Sequence, residues 1–152
     1  MNSIRVVKKD IYTIEVNDLG ETIEFDLLDI EMPFKCERAF NEINRVYREL
    51  KAKLVIIEKQ EDHKLDGEFM TANEKAKLDA HRFAFKEMRV AMDTFLGAGA
   101  CQKIFGDRNY LEMYDDLFMQ LEPHFEKMKL NTEGIAERIK AKYTKKDDGV
   151  LR

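Results

Sequence analysis

Two short stretches near the start of the chain, residues 11–16 and 22–27, alternate apolar and polar residues. This period of two predicts β-strands. The segment between them contains "NDLG", which favours a tight turn, so we predict one antiparallel hairpin over residues 11–28. A two-stranded hairpin is marginal in water, and its apolar side must therefore pack on helices or gain strands from a neighbour. The apolar positions are Tyr12, Ile14 and Val16, then Ile23, Phe25 and Leu27.

From residue 32 onward the apolar residues recur at steps of three and four, which indicates α-helices. Pro33 suits the first turn of the first helix. Thr71 and Glu74 have the spacing of a capping box and start the second. Asn109 and Glu112 give a weaker start signal for a third helix. The three apolar stripes are Cys36, Phe40, Ile43, Tyr47, Leu50, Leu54 and Ile57; Leu78, His81, Phe85, Met88, Met92 and Phe95; and Leu111, Tyr114, Phe118, Leu121, Phe125 and Met128.

These stripes predict a mainly α (α+β) fold in which an N-terminal β-hairpin packs on a bundle of three to five helices. Val46, Val55 and Ile56 are expected to widen the first stripe. Pro123 predicts a kink or break near Leu121 and Glu122, because its ring crowds the preceding turn. We predict a single domain over residues 1–143 and a flexible C-terminal tail over residues 144–152, where few apolar anchors remain.

The composition fits one cytosolic domain. The chain has 152 residues, of which 44% are hydrophobic, enough for a core without disulfides. Its 26 basic and 30 acidic residues give a net charge of -4, so nucleic acid is not the expected partner. No signal peptide and no run of about 18 apolar residues is present, which predicts a cytoplasmic protein without a membrane span. Cys36 and Cys101 lack a CxxC partner and are expected to be buried thiols.

The glycine-rich stretch at residues 97–106, "GAGACQKIFG", is not a phosphate-binding loop. A Walker loop follows a strand and ends in Gly-Lys-Ser/Thr, whereas here Lys103 is followed by Ile104. A dinucleotide fingerprint would need a third glycine and a βαβ unit. We predict a structural hinge in which Gly97 ends the second helix in a left-handed cap, Gly99 allows close backbone approach and Gly106 ends one or two tight turns.

The sequence signals for catalytic and metal-binding residues are weak. Cys101 paired with a histidine would suit a cysteine hydrolase, and that hypothesis requires a solvent-accessible thiol. His81 lies within an apolar stripe, which favours a core histidine. No histidine has a glutamate three residues before it, as bundle di-iron sites require, and the adjacent Asp115 and Asp116 point about 100° apart on a helix. We therefore expect no catalytic residue, no metal and no cofactor.

Residues 95–116, "FLGAGACQKIFGDRNYLEMYDD", resemble a segment of the tail assembly chaperones of long-tailed (siphovirus-like) phages and prophages of Gram-positive bacteria. The order of elements is also similar: a short hairpin, long charged amphipathic helices, then a segment of small residues leading to "KIFG". In this chain Leu96 stands between Phe95 and Gly97. The resemblance implies a non-enzymatic chaperone that binds the tape-measure protein and helps to recruit tail-tube protein during tail morphogenesis in the host cytoplasm.

Two surfaces are candidates for binding a partner. Phe83 and Val90 lie seven residues apart, off the main stripe of the second helix, and would form a second apolar face; the alternative is burial under the hairpin or the first helix. A basic segment near the C-terminus would bind acidic helices, or else is a solvated chain end. It contains Arg138, Lys140, Lys142, Lys145 and Lys146.

A hairpin with no third strand beside it also favours a homo-oligomer, in which a neighbouring copy supplies further strands. The alternative to the chaperone hypothesis is a helical adaptor or regulatory protein of unrelated function, which would bind nucleic acid through the basic C-terminal segment. These hypotheses make different predictions, because binding to a nucleic acid weakens steeply as salt increases.

Overall fold

The computed structural model describes residues 1–5 and 10–128. A two-stranded antiparallel sheet comes first and four helices follow, which confirms the predicted class of a hairpin packed on a helical bundle. The predicted tail, residues 144–152, and the basic segment before it lie outside the described residues. The elements are β1 (Ile11–Glu15), β2 (Thr22–Asp26), α1 (Met32–Glu58), α2 (Ala72–Leu96), α3 (Ala100–Phe105) and α4 (Met113–Lys127).

The register of the hairpin places its apolar residues on one side. Tyr12 lies opposite Phe25 and Ile14 lies opposite Ile23, so all four side chains share a face. Ile23 and Phe25 are buried, and the two residues of β1 are half-buried against the same core. The predicted alternation of the two strands is confirmed.

The turn of the hairpin is stabilised by a side chain. Asn17 Oδ1 accepts hydrogen bonds from the backbone N–H of Leu19 at 2.9 Å and of Glu21 at 3.2 Å. Gly20 has a φ of +77°, a conformation that side chains disfavour. An asparagine that bonds the backbone ahead of it, followed by a glycine with positive φ, closes the turn at low cost.

The two long helices, α1 and α2, pack antiparallel. Lys77 Nζ at the start of α2 donates to Glu58 Oε1 at the end of α1, at 2.9 Å. The Lys53 ammonium lies 4.6 Å from the centre of the Phe83 ring. The predicted cap of α2 is present, since Thr71 Oγ1 accepts from the backbone N–H of Glu74 at 3.1 Å, which satisfies an otherwise unpaired donor.

Aromatic contacts fix the hairpin and α4 on one side of the α1–α2 pair. Phe25 of β2 packs on Phe95 of α2 with 5.5 Å between ring centres, and Phe95 packs on Phe125 of α4 at 6.2 Å. Phe40 of α1 meets Phe118 of α4 edge to face at 5.5 Å. These contacts join four elements in one core.

Four apolar residues predicted to be covered are exposed. Val55 and Ile56 of α1 are 53% and 59% exposed, and Leu78 of α2 is 52% exposed. The hairpin and α4 do not cover this end of the pair: no residue of α1 after Leu50, and none of α2 before Ala84, is buried. A fourth, Leu111, is 40% exposed because α4 begins two residues after it.

The start of α4 and its proline also differ from expectation. Asn109 is not the cap, because α4 begins at Met113 after Glu112, and Asn109 Oδ1 instead accepts from Arg89 Nε at 2.9 Å. Of the kink or break predicted near Pro123, the break is wrong, since one helix continues through it. The carbonyl that loses its N–H partner belongs to Met119, an exposed residue, where water can replace the bond.

The three predicted hinge glycines all have positive φ and separate α2, α3 and the chain leading to α4. Gly97 does not form the predicted left-handed cap, because its φ of +113° is combined with a ψ of 155°. Gly99, at φ +76° and ψ 6°, is the left-handed residue and directly precedes α3. The carboxylate of Asp93 holds this turn by accepting from the N–H of Gly99 at 3.3 Å and of Cys101 at 2.9 Å.

Gly99→Ala is expected to lower the free energy of unfolding by about 1 kcal/mol, because an L-residue is strained in the left-handed region. A Cβ added at Gly99 would meet nothing within 4 Å, so the change isolates backbone strain. Gly99→Asn should cost less, since asparagine tolerates this conformation. Urea unfolding of both variants measures the difference; equal stability of Gly99→Ala and the parent would contradict the role given to Gly99.

Candidate partner-binding groove

A groove runs between α1 and α2 and is lined almost wholly by residues that do not belong to the core formed with the hairpin and α4. It consists of two adjoining depressions of about 560 and about 360 Å³ that share Glu42, Arg45 and Ala91. The α1 side is formed by Lys35, Arg38, Ala39, Asn41, Glu42, Arg45 and Arg48, and the α2 side by Phe83, Lys86, Glu87, Val90, Ala91 and Thr94. We call this surface the outer groove.

Phe83 and Val90, the predicted apolar pair, both lie in the outer groove. They are 52% and 65% exposed, so neither the hairpin nor α1 buries them, contrary to the alternative raised from the sequence. The main stripe of α2 faces the core through Phe85, Met88 and Met92, and a seven-residue spacing places the pair together on a different side. The outer groove therefore offers water-exposed apolar area on a helical scaffold.

Arg45 links the two helices across the groove. Its Nη1 donates to Glu49 Oε1 at 2.6 Å, its Nε donates to Glu42 Oε2 at 3.0 Å, and its Nη2 lies 3.5 Å from Glu87 Oε2 of α2. The hydrogen bonds from Arg45 lower the pKa of the Glu42 carboxyl below its usual value. Three carboxylates thus surround one guanidinium. They fix its position, although such exposed ion pairs add little to the stability of the fold.

Three other basic side chains of the groove have no acidic partner within the described part of the chain. These are Arg38 and Arg48 of α1 and Lys86 of α2. The groove carries more basic than acidic residues, although the whole chain has a net charge of -4. This local surplus favours an occupant with carboxylates at the edges of its contact surface.

The remaining predicted partner residues, Arg138, Lys140, Lys142, Lys145 and Lys146, lie outside the described residues. Sequence reasoning found the apolar pair of the groove but missed its basic surplus. A signal was present, since Lys35, Arg38, Glu42 and Arg45 recur at steps of three and four on α1. Their spacing shows a shared face, but whether a charge has a partner depends on the neighbouring helix.

Cys101 does not meet the requirement of a cysteine nucleophile. It is 1% exposed, and burial together with the nearby Asp93 raises the pKa of its thiol to about 12. Burial raises the pKa of Cys36 to about 12 as well. Both thiols are therefore neutral at pH 7, and the cysteine-hydrolase hypothesis, which needs an accessible thiolate, loses its basis.

The histidines of the helices have structural contacts. His81 Nδ1 lies 2.8 Å from the backbone carbonyl of Lys77, and its ring stacks on Phe85 with 6.5 Å between centres. His124 Nδ1 is hydrogen-bonded to the Tyr12 hydroxyl at 2.8 Å, which joins α4 to the hairpin. Within residues 1–5 and 10–128, no cluster of three or more metal-ligating side chains occurs.

Comparisons with protein-family models, with curated proteins and with solved structures found no match to the chain. Among the helices of the described ranges, none is long and apolar enough to cross a membrane. The resemblance to tail assembly chaperones therefore stays a prediction. Among the described residues, the outer groove is the surface that best suits the binding of a partner.

The burial of Cys36 and Cys101 predicts slow alkylation by iodoacetamide at pH 8 in the native state and rapid alkylation in urea, measured by mass spectrometry. Since folding raises both thiol pKa values from about 9 to about 12, the unfolded chain releases protons first as the pH rises. The free energy of unfolding should accordingly fall between pH 9 and pH 12. Rapid native labelling of Cys101 would restore the nucleophile hypothesis.

Proposed function

We propose that this protein is a tail assembly chaperone of a long-tailed phage or prophage, and that it binds an amphipathic helix of the tape-measure protein in the outer groove. In this role it is not an enzyme; it acts in the host cytoplasm and helps to recruit tail-tube protein. The observation that supports the proposal is the exposed pair Phe83 and Val90 beside basic side chains that have no acidic partner among residues 1–5 and 10–128.

The shape of the groove suits a helix. Phe83 and Val90 are separated by seven residues, about 10 Å along α2 at 1.5 Å per residue. An amphipathic helix presents apolar residues at the same spacing, at positions i, i+3, i+4 and i+7, and would lie along the groove. Ala91, and the buried Ala39 across from it, let the backbone of such a helix approach closely.

The charge of the groove restricts which helix binds. Arg38, Arg48 and Lys86 would face the edges of a bound helix, where glutamate or aspartate residues would pair with them. Complementary charges accelerate association and reject helices with basic edges. We therefore propose that the bound tape-measure segment has an apolar stripe flanked by acidic residues.

The double variant Phe83→Ala/Val90→Ala is expected to weaken binding of the tape-measure segment at least tenfold, since each apolar anchor at the centre of a helix interface contributes about 1 kcal/mol or more. Both residues are largely exposed, so the fold should be retained. Binding is measured by titration calorimetry with the isolated segment, and complex formation by size-exclusion chromatography with light scattering after co-expression.

The matched control is Phe69→Ala/Val55→Ala, which removes the same atoms from exposed residues that do not line the groove. It should bind as the parent does. Equal weakening by both double variants, or by neither, would overturn the assignment of the outer groove. Salt-sensitive binding to DNA together with no binding to the tape-measure segment would instead favour the nucleic-acid-binding adaptor.

Charge reversal tests the electrostatic part of the proposal. Arg38→Glu/Lys86→Glu should slow association with the acidic-edged segment and reduce the salt dependence of its rate, because steering attraction is screened by salt. Lys64→Glu/Lys59→Glu, at exposed residues outside the groove, makes the same change in net charge and is the control. Stopped-flow kinetics at low and high salt measures both; identical rates for the two variants would exclude a specific charge contribution from the groove.

A further inference from the structure

The outer edge of β1 has unpaired backbone groups. The ladder to β2 uses alternate residues: the N–H of Leu27 donates to the carbonyl of Asp10 at 2.8 Å, and the N–H of Val16 donates to that of Glu21 at 2.9 Å. In this register the N–H and C=O groups of Ile11, Thr13 and Glu15 point away from β2. Within the described ranges, none of these six groups has a hydrogen-bond partner.

The outer edge of β2 is different because its ends are occupied. Lys103 Nζ of α3 donates to the carbonyl of Thr22 at 3.2 Å. At the other end, the carbonyl of Asp26 accepts from the N–H of Asp29 at 3.0 Å as the chain turns toward α1. Of the two edges of the sheet, β1 is the one that the described residues leave open along its length.

Nothing in β1 protects this edge. Proteins usually block exposed edges with lysine, proline, a bulge or a covering element. Ile11–Glu15 contains no lysine or proline, its register with β2 has no bulge, and Ile11 is 42% exposed. An unprotected edge is a surface on which another strand can add through backbone hydrogen bonds.

Space exists on the side of the hairpin where β1 lies. Tyr12 of β1 reaches His124 of α4, whereas Phe25 of β2 reaches α2, so the β1 edge is the one nearer α4. A cleft of about 650 Å³ lies between β1, α3 and α4 and is lined on its apolar side by Ile14, Leu117 and Leu121. Because Ile14, Glu15 and Val16 all border this open cleft, α4 does not close over this end of β1.

We propose that β1 pairs antiparallel with β1 of a second copy of this chain, with the two-fold axis at Thr13, to form a continuous four-stranded sheet. Ile11 then lies opposite Glu15 of the second copy, and Thr13 lies opposite its own counterpart. All six outward backbone groups of each β1 obtain partners in this register. The dimer is isologous and closed, so it does not propagate into a fibre.

The side chains make the strand complementary to itself. Tyr12 lies beside Ile14 of the second copy on the apolar face, an aromatic and β-branched pair that stabilises sheets. Glu15 lies opposite the uncharged Ile11. A shift that centred the pairing on Glu15 would oppose two carboxylates and is disfavoured. This self-complementarity is the reason for assigning a second copy, rather than a different protein, as the occupant.

The dimer is independent of the proposed chaperone function. The hairpin packs on α2 through Phe25 and on α4 through Tyr12, whereas the outer groove is lined by other residues of α1 and α2. Pairing of two β1 strands leaves both outer grooves accessible. Failure of tape-measure binding would not change the expected dimer, and failure of the dimer would not change the groove.

Thr13→Pro tests the edge, because it removes an N–H that points outward and leaves the ladder to β2 intact. The matched control is Glu24→Pro, since Glu24 lies directly opposite Thr13 and its N–H also points away from the partner strand. Sedimentation velocity from micromolar to millimolar concentration should show a dimer for the parent and for Glu24→Pro, and a monomer for Thr13→Pro. Far-ultraviolet circular dichroism checks that each variant is folded.

A cross-link tests the register even if a proline variant fails to fold. The Cα atoms of two opposed Thr13 residues would lie about 5.5 Å apart, a distance that a disulfide can span. Thr13→Cys should therefore form a covalent dimer under mild oxidation, while Glu24→Cys stays monomeric on a non-reducing gel. Cys36 and Cys101 are buried and should not interfere. A monomeric parent at every concentration, a Thr13→Pro variant that folds and still dimerises, or equal cross-linking of both cysteine variants would overturn the proposal.

Discussion

The burial of one continuous apolar face on the α1–α2 pair is the constraint from which the rest of the structure follows. Ile43, Met88 and Met92 are fully buried on that face, yet two helices alone cannot cover it. The hairpin and α4 supply the cover through the contacts of Phe25 with Phe95 and of Phe40 with Phe118. The hairpin in turn depends on this packing, because two strands alone are marginal in water.

The same constraint explains why the opposite side of the pair is open. Each helix buries its apolar stripe in the core, so the outer side carries charged residues. Any apolar residue on that outer side remains exposed. Phe83 and Val90 are such residues, and Arg45 with its three carboxylates holds the two helices beside them. Among the described residues nothing covers this groove, and its two apolar anchors and basic surplus support the proposal that it binds a helix.

The strand and helix periods were sufficient to predict the hairpin and the three main stripes, and the capping-box spacing of Thr71 and Glu74 predicted the cap at Thr71. They failed at Leu78, Val55 and Ile56, because a stripe identifies the apolar side of a helix and carries no information on how far the neighbouring elements extend. Pro123 does not break α4, since the packing of its neighbours outweighs one lost hydrogen bond.

The apolar pair of the groove could be predicted from the sequence, because Phe83 and Val90 lie seven residues apart and off the main apolar stripe of α2. The difference between Arg45, which has carboxylate partners, and Arg38, which has none among the described residues, could not be predicted, because it depends on residues brought close by folding. The open edge of β1 was implied by a lone hairpin, but which edge is open depends on where Lys103 of α3 lies.

Mapping of the bound helix by nuclear magnetic resonance would test the central claim most directly. Isotope-labelled protein is titrated with an unlabelled helical segment of the tape-measure protein, and the backbone amide signals are followed. We expect the largest shifts at Glu42, Arg45, Glu87, Val90 and Ala91, with the amides of the hairpin and α4 nearly unchanged. Shifts concentrated in the hairpin or α4, or no shifts at saturating segment, would contradict the assignment of the outer groove as the partner-binding surface.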